Sequence, residues 1–175
     1  MLTKYFEIKS AYDSFYNSIL AEGKLPMRET AKGYWGIATA DDVYELFKTI
    51  KLEKFRSFVD LGSGDGKVVS IASLFTKAIG IEIDRELVMH SERIKNKLNI
   101  NAKFIEGDFL KHNLSKFDFV FINPDQHMTK LEPKLFKELN GKFVVYGPHY
   151  HPKLLKKEAR FISYTSPVSV FINSF

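Results

Sequence analysis

Hydrophobic side chains recur along the chain in two alternating patterns, helical spacing and short continuous runs. Residues 3–20 carry large apolar side chains at intervals of three and four, which predicts an amphipathic helix with an aromatic face formed by Tyr5, Ile8, Tyr12, Phe15 and Ile19. We interpret this face as core packing, and a cover over a bound substrate is the alternative. A second helix is predicted after Thr39, because Thr39 and Asp42 have the spacing expected of a capping box.

Short apolar runs alternate with the helical stretches and predict buried strands. Five such runs end near Val59, Ile83, Glu106, Ile122 and Tyr146. Because strands that alternate with helices favour a mostly parallel sheet, we predict an α/β fold. Residues 153–158 predict a short helix, and residues 161–164 and 168–175 predict a closing antiparallel pair of strands.

A glycine-rich turn follows the first of these strands. From Asp60 to Gly66 the chain reads Asp-Leu-Gly-Ser-Gly-Asp-Gly, and its alternate glycines allow a ligand to approach bare backbone at the start of a helix. The dinucleotide fingerprint has a different spacing, G-x-G-x-x-G. A carboxylate at Asp60 would also repel a pyrophosphate by roughly 4 kcal/mol, for unit charges ~4 Å apart at an effective dielectric of ~20. The turn therefore favours a ligand with a cationic end.

Composition narrows the class of protein. The chain has 175 residues, 45% hydrophobic and 27% charged, so we expect one globular domain over 1–175, with a helical extension at 1–33 and the core at 34–175. It has no cysteine, which excludes disulfides and thiolate metal sites and fits a cytoplasmic location. No apolar run reaches the roughly 20 residues of a membrane span, and the histidines lack metal-ligand spacing. The net charge of +5 is scattered rather than gathered in a nucleic-acid-binding stripe.

The acidic residue and the alternate glycines together resemble motif I of the class I S-adenosylmethionine (SAM) methyltransferases. The resemblance extends over residues 34–175. It implies a Rossmann-like fold with a seven-stranded, mostly parallel sheet, a C-terminal antiparallel hairpin and helices on both faces. It also implies SAM as the cofactor, with its amino group near the acidic residue and its adenine near an acidic-aromatic pair at 108–109. Glu82 stands 20 residues after Gly62, the offset of a carboxylate that accepts ribose hydroxyls. The cofactor-binding residues expected on this basis are Asp60, Gly62, Ser63, Gly64, Gly66, Glu82, Ile83, Asp108 and Phe109.

Longer segments are similar to a smaller group of protein-lysine methyltransferases, which comprises an archaeal broad-specificity enzyme and mitochondrial enzymes that modify the c subunit of ATP synthase. These segments are Val-Asp-Leu-Gly-Ser-Gly-Asp-Gly-Lys at 59–67, Gly-Ile-Glu-Ile at 80–83 and Leu-Glu-Pro-Lys-Leu at 131–135. The turn at 37–39 resembles an entry segment that lies over the cofactor in this group, which adds Thr39 to the implied SAM-binding residues. Segments 123–125 and 147–150 depart from the group, and both lie beside the expected acceptor entrance.

The likeness to this group favours N-methylation of lysine in a protein substrate, by in-line transfer of the methyl group. The attacking amine must be neutral, and an aromatic channel disfavours the ammonium form. Candidates for the channel walls are Tyr34, Trp35, Tyr146 and Tyr150, each of which is equally open to a packing role. Of these we select Tyr34 and Tyr146, together with Asn123, as candidate catalytic residues.

Two other functions stay open. Asn123 and Pro124 resemble the start of the Asn/Asp-Pro-Pro-aromatic motif of amino-methyltransferases, which favours an adenine amine in a nucleic acid as the acceptor. Asp125 and Gln126 replace the second proline and the aromatic residue of that motif, so the surface on which a base stacks is missing. The other possibility is a SAM-binding module that has lost turnover and acts through a partner.

Overall fold

The computed structural model describes residues 1–30 and 33–174. None of the helices in these two ranges is both long and apolar enough to cross a membrane. The elements are, in chain order, α1 (Leu2–Ala21), β1 (Arg28–Thr30), β2 (Gly33–Trp35), α2 (Ala40–Thr49), β3 (Ser57–Leu61), α3 (Lys67–Ala72), β4 (Lys77–Glu82), α4 (Arg85–Leu98), β5 (Ala102–Glu106), β6 (Phe119–Ile122), α5 (Leu131–Glu138), β7 (Lys142–Tyr146), β8 (Lys156–Ser163) and β9 (Ser166–Ile172).

Seven strands form one sheet in the order β5-β4-β3-β6-β7-β9-β8. Strands β3 to β7 run parallel, whereas β9 is antiparallel to both β7 and β8. The register sets Asp60 in the middle of the sheet, opposite Gly80 on one side and Phe121 on the other. The predicted fold, a mostly parallel seven-stranded sheet closed by an antiparallel hairpin, is confirmed.

Alternation along the strands divides the core into two layers. Phe58 and Phe121 face helix α2, where Phe47 meets their rings at centroid distances of 5.3 and 6.2 Å. Val59 and Leu61 face the opposite side, where they share a cluster with Leu135 of α5 and its neighbours. The two layers leave the carboxyl ends of the parallel strands open between them, as in other α/β sheets.

Helix α1 packs in the same core as the sheet. Four of its side chains, Tyr5, Ile8, Tyr12 and Tyr16, are buried within a cluster that also contains Phe58 and Phe121. The interpretation of its aromatic face as core packing is therefore confirmed. The buried face of α1 differs from the predicted one in one detail. Tyr16 is buried, whereas Phe15 and Ile19 are only partly buried at the edge of the cluster.

Three local predictions differ from the structure. The helix predicted at 153–158 is wrong, because the chain from Lys156 onward pairs with β9 and forms β8. Both closing strands also begin earlier than predicted, β8 at Lys156 and β9 at Ser166. Phe175, the last residue of the predicted pair, lies outside the described residues. The capping box is also wrong. Thr39 precedes α2 without a side-chain hydrogen bond to it, and the Asp42 carboxylate accepts hydrogen bonds from Thr165 and Ser166.

Candidate active site

The carboxyl ends of β3, β4, β5 and β6 surround a crevice of about 670 Å³. The turn at 62–65 forms its floor, and the segment 107–110 after β5 and the segment 123–131 after β6 form two of its walls. The β1–β2 hairpin contributes Thr30, Gly33, Tyr34 and Trp35 to the remaining side. This is the edge at which open parallel sheets bind their ligands.

The glycine turn adopts a backbone that other residues rarely allow. Gly64 has a φ of 55° and lies beneath the indole of Trp35, where an added Cβ would stand 2.6 Å from Cδ1 of the ring. Gly66 has a φ of 83°, and its missing side chain makes room for Ser91 and Phe104. By contrast, Gly62 faces open space on the crevice side. The turn is therefore packed behind Gly66, covered by Trp35 at Gly64 and open toward the crevice at Gly62.

Glu82 ties the turn to the end of β4. Its Oε2 accepts a hydrogen bond of 2.8 Å from the Gly64 amide, and its Oε1 accepts one of 2.9 Å from the Asp84 amide. Each carboxylate oxygen has a second lone pair, so the side chain is still able to accept two further donors from the crevice. The contact of Glu82 to two ribose hydroxyls stays a prediction, for which these lone pairs are available.

The Asp60 carboxylate lines the crevice without a hydrogen-bond donor from the described residues. It is 3% exposed, and none of the hydrogen bonds within residues 1–30 and 33–174 involves its side chain. Burial, followed by the negative charges of Glu82 and Asp65, raises the pKa of Asp60 well above its ordinary value. Because a buried carboxylate needs a donor or a cation beside it, the site fits a ligand with an amino group, as SAM has.

The β1–β2 hairpin forms a strap across the crevice. At one end, Nη2 of Arg28 donates to both carboxylate oxygens of Asp84 at 2.9 Å, just after β4. At the other end, the Tyr34 amide donates to the carboxylate of Asp125, just after β6. Trp35 lies between these anchors, against Gly64. The strap thus joins two walls of the crevice above the glycine turn.

The side of the crevice formed after β6, where the acceptor is predicted to enter, combines polar and apolar groups. Asn123 and His127 are exposed and line the crevice together with the half-exposed ring of Tyr34. Met128 and Leu131, which are buried on the α5 side of the sheet, add apolar side chains to this part of the crevice. The Tyr150 ring packs edge-on against His127, with a centroid distance of 5.0 Å, but does not itself line the crevice.

Most of the predicted site residues meet at this crevice. It is lined by Tyr34, Asp60, Gly62, Ser63, Gly64, Glu82, Ile83, Asp108, Phe109 and Asn123. Sequence reasoning missed Asp65, Lys67, His127 and Lys130, which line it as well. Asp65 and Lys67 lie within the same sequence motif as the glycines. Their position in that motif could have identified them as residues of the crevice.

Three predicted site residues lie elsewhere. Gly66 is buried behind the turn against α4 and β5, and Thr39 is exposed at the start of α2. The Tyr146 hydroxyl donates to Oδ2 of Asp42 at 2.9 Å and lies 2.7 Å from Oγ of Ser166. Burial, together with Asp42, raises the pKa of Tyr146 to about 12, so this hydroxyl stays protonated and holds α2 against the sheet.

This strand order, with an open glycine turn after the central strand and carboxylates after its neighbours, defines the class as a Rossmann-like SAM-dependent methyltransferase. The chain belongs to the family of the ANTKMT methyltransferase domain, whose family model matches residues 60–147. The predicted class and its cofactor, SAM, are thereby confirmed at the level of the family.

Individual relatives agree with this assignment. Over 125 residues the chain is 33% identical to the human lysine N-methyltransferase of the ATP synthase c subunit, and the match covers 66% of this chain and 53% of that protein. Over 83 residues it is 36% identical to a ribosomal protein L11 methyltransferase from Caulobacter sp. (strain K31), covering 43% of this chain and 28% of that protein. The chain thus spans about half or less of the curated relatives' length.

A solved structure shows the same fold. The RNA methyltransferase from Salinibacter ruber, in complex with S-adenosyl-L-homocysteine, superposes with a TM-score of 0.67 at 22% identity, and the match covers 79% of this chain and 95% of that one.

Proposed function

We propose that this chain transfers methyl groups from SAM to lysine side chains of a protein substrate. The charge of the crevice carries the proposal. Among the described residues that line it, five are carboxylates and two are lysines: Asp60, Asp65, Glu82, Asp108 and Asp125 against Lys67 and Lys130. The carboxylates around the turn attract a cationic cofactor, and Asp125 on the segment after β6 attracts a lysine ammonium and repels the phosphates of a nucleic acid.

The cofactor side follows from the residues around the turn. SAM, when bound, supplies a methyl group that its sulfonium makes electrophilic. Asp60 is positioned to pair with an amino group, and Glu82 has free lone pairs for hydroxyls. Asp108 and Phe109 line the far wall, where we propose that they contact the adenine.

The acceptor side must both attract an ammonium and allow it to lose its proton. For a free lysine with a pKa near 10.4, the neutral form costs about 4.6 kcal/mol at pH 7. Asp125 lies at the crevice rim, with its charge partly met by the Tyr34 amide, and is placed to attract the ammonium. The apolar side chains of Met128 and Leu131 disfavour the charged form deeper inside, which lowers the cost of deprotonation. Alignment and exclusion of water then account for most of the remaining catalysis.

The match to a human lysine N-methyltransferase supports this acceptor. The adenine alternative has less support, because Asp125 binds the strap next to the position where a stacking residue would be needed. We further propose that residues 1–175 act as one domain, since α1 shares the core of the sheet. A cytoplasmic location is part of the proposal and fits a sequence without cysteine.

Labelling with tritiated SAM tests the proposal. The full chain is incubated with tritiated SAM and a cell lysate, and portions are then digested separately with protease and with nuclease. We expect label that protease releases and nuclease does not, recovered after acid hydrolysis as methylated lysine. The Asp60→Asn chain serves as the matched control and should label far less.

The other outcomes reject lysine methylation in different ways. Label released by nuclease would identify a nucleic-acid acceptor. Absence of label from protein, nucleic acid and small molecules, with SAM binding intact, would identify a binding module without turnover.

A further inference from the structure

Helix α1 reaches the glycine turn through two tyrosines on its buried face. The Tyr16 hydroxyl donates to Oδ2 of Asp65, and the Tyr12 hydroxyl donates to the Asp65 carbonyl at 3.1 Å. The Tyr12 oxygen also lies 3.1 Å from Oγ of Ser70, in the first turns of α3. The N-terminal helix therefore holds both the side chain and the main chain of one residue in the turn.

That residue is the centre of the turn. Asp65 stands between Gly64 and Gly66, whose positive φ values are permitted because neither has a side chain. Its own Oδ1 accepts the Lys67 amide at 3.1 Å, which closes the turn onto the start of α3. Glu82 holds the turn at the Gly64 amide, and the two tyrosines hold it at Asp65.

Burial and charge make the Tyr16 contact strong. Asp65 is 5% exposed, so its carboxylate has little water to replace a lost donor. Burial and the Asp65 charge raise the pKa of Tyr16, which keeps its hydroxyl protonated as a donor. The Lys67 ammonium lies 4.5 Å from the centre of the Tyr16 ring and adds a cation–π contact to the same cluster.

We propose that Tyr16 is a positioning residue for the cofactor. It does not line the crevice, yet it fixes the turn whose backbone faces the ligand, so the affinity for SAM depends on it. This inference rests on the proposed function, because it assumes that the turn binds SAM. The N-terminal helix then acts as part of the binding site as well as part of the core.

The chain offers a matched control for the test. Tyr5 lies on the same face of α1 and its ring is also buried, and its hydroxyl donates to the partly exposed carboxylate of Asp41 in α2, away from the crevice. Tyr16→Phe and Tyr5→Phe therefore each remove one tyrosine–aspartate hydrogen bond from α1. Calorimetric titration of each full-length variant with S-adenosylhomocysteine, and thermal unfolding without ligand, compare them with the wild-type chain.

We expect Tyr16→Phe to bind S-adenosylhomocysteine about tenfold more weakly, equivalent to about 1.4 kcal/mol, and Tyr5→Phe to stay within about twofold of wild type. The Tm without ligand should fall more for Tyr16→Phe than for Tyr5→Phe, because water can replace the lost donor at the partly exposed Asp41 carboxylate but not at Asp65. In turnover assays the KM for SAM should rise for Tyr16→Phe while the KM for the protein acceptor does not change.

Equal affinities for Tyr16→Phe and Tyr5→Phe would overturn the inference and leave only a structural role for Tyr16. If Tyr16→Phe does not fold, Tyr12→Phe takes its place, with weaker binding expected and unchanged binding contradicting the inference. Failure of the wild-type chain to bind S-adenosylhomocysteine would instead overturn the proposed function itself.

Discussion

Asparagine at position 60 should make the protein more stable and its cofactor binding weaker. Asp60 is buried without a hydrogen-bond donor from the described residues, and its neighbours Glu82 and Asp65 are acidic. The substitution Asp60→Asn keeps the shape of the side chain and removes the charge. In the cofactor-free protein this relieves an unfavourable burial, whereas in the complex it removes the partner of an amino group.

The gain in stability from Asp60→Asn should depend on pH. Because the folded-state pKa of Asp60 is raised, folding favours its protonated form, and the wild-type chain loses stability as pH rises from the unfolded value of about 3.9 to the folded pKa. The Asp60→Asn chain does not lose stability in this way, because its side chain at this position does not titrate. Its advantage should therefore grow by about 1.4 kcal/mol per pH unit and level off above the folded pKa. For a chain of this size that corresponds to roughly 3–6 °C in Tm per pH unit.

The same substitution should lower the affinity for SAM. A hydrogen bond to a charged group contributes about 1.5–3 kcal/mol, so Asp60→Asn should weaken SAM binding by about 10- to 150-fold. Thermal unfolding of both chains across a pH series, with calorimetric SAM titrations at one pH, measures both quantities. A Tm difference that does not change with pH, or an unchanged affinity, would refute the assignment of Asp60 as a buried carboxylate reserved for a cation.

Three further variants test separate parts of the site. Glu82→Ala should weaken SAM binding and, unlike Asp60→Asn, also lower the Tm, because the amides of Gly64 and Asp84 lose their acceptor; a chain with wild-type Tm and affinity would contradict this. Asn123→Ala should lower kcat more than it changes SAM affinity, since Asn123 lines the proposed acceptor side of the crevice, and an unchanged kcat would remove it from that proposal. Tyr146→Phe should lower stability by about 1 kcal/mol through the lost bond to Asp42 and leave kcat unchanged, and a large fall in kcat would restore Tyr146 to the site.

The clustering of the residues proposed to bind the cofactor was predictable because they are close in sequence or follow from topology. The glycine turn is one contiguous motif. Glu82 ends the strand next to Asp60, and parallel neighbours bring their carboxyl ends to the same edge of a sheet. The fold followed in the same way from alternating strands and helices.

The remaining features depend on contacts that no local pattern encodes. The strap is anchored by Arg28 to Asp84 and by Tyr34 to Asp125, pairs that are 56 and 91 positions apart in the sequence. The sequence offers Tyr146 as a wall of the acceptor channel only because it is aromatic. Its direction follows instead from the alternation that puts Val144 and Tyr146 on the α2 side of the sheet, where Asp42 accepts its hydroxyl.

The most direct test of the account is a crystal structure of the chain with S-adenosylhomocysteine. We predict the ligand in the crevice at the ends of β3 and β4, with its amino group on Asp60 and its ribose hydroxyls on Glu82. A crevice left empty at saturating ligand, or the ligand held at another surface while these two carboxylates stay unpaired, would contradict the account.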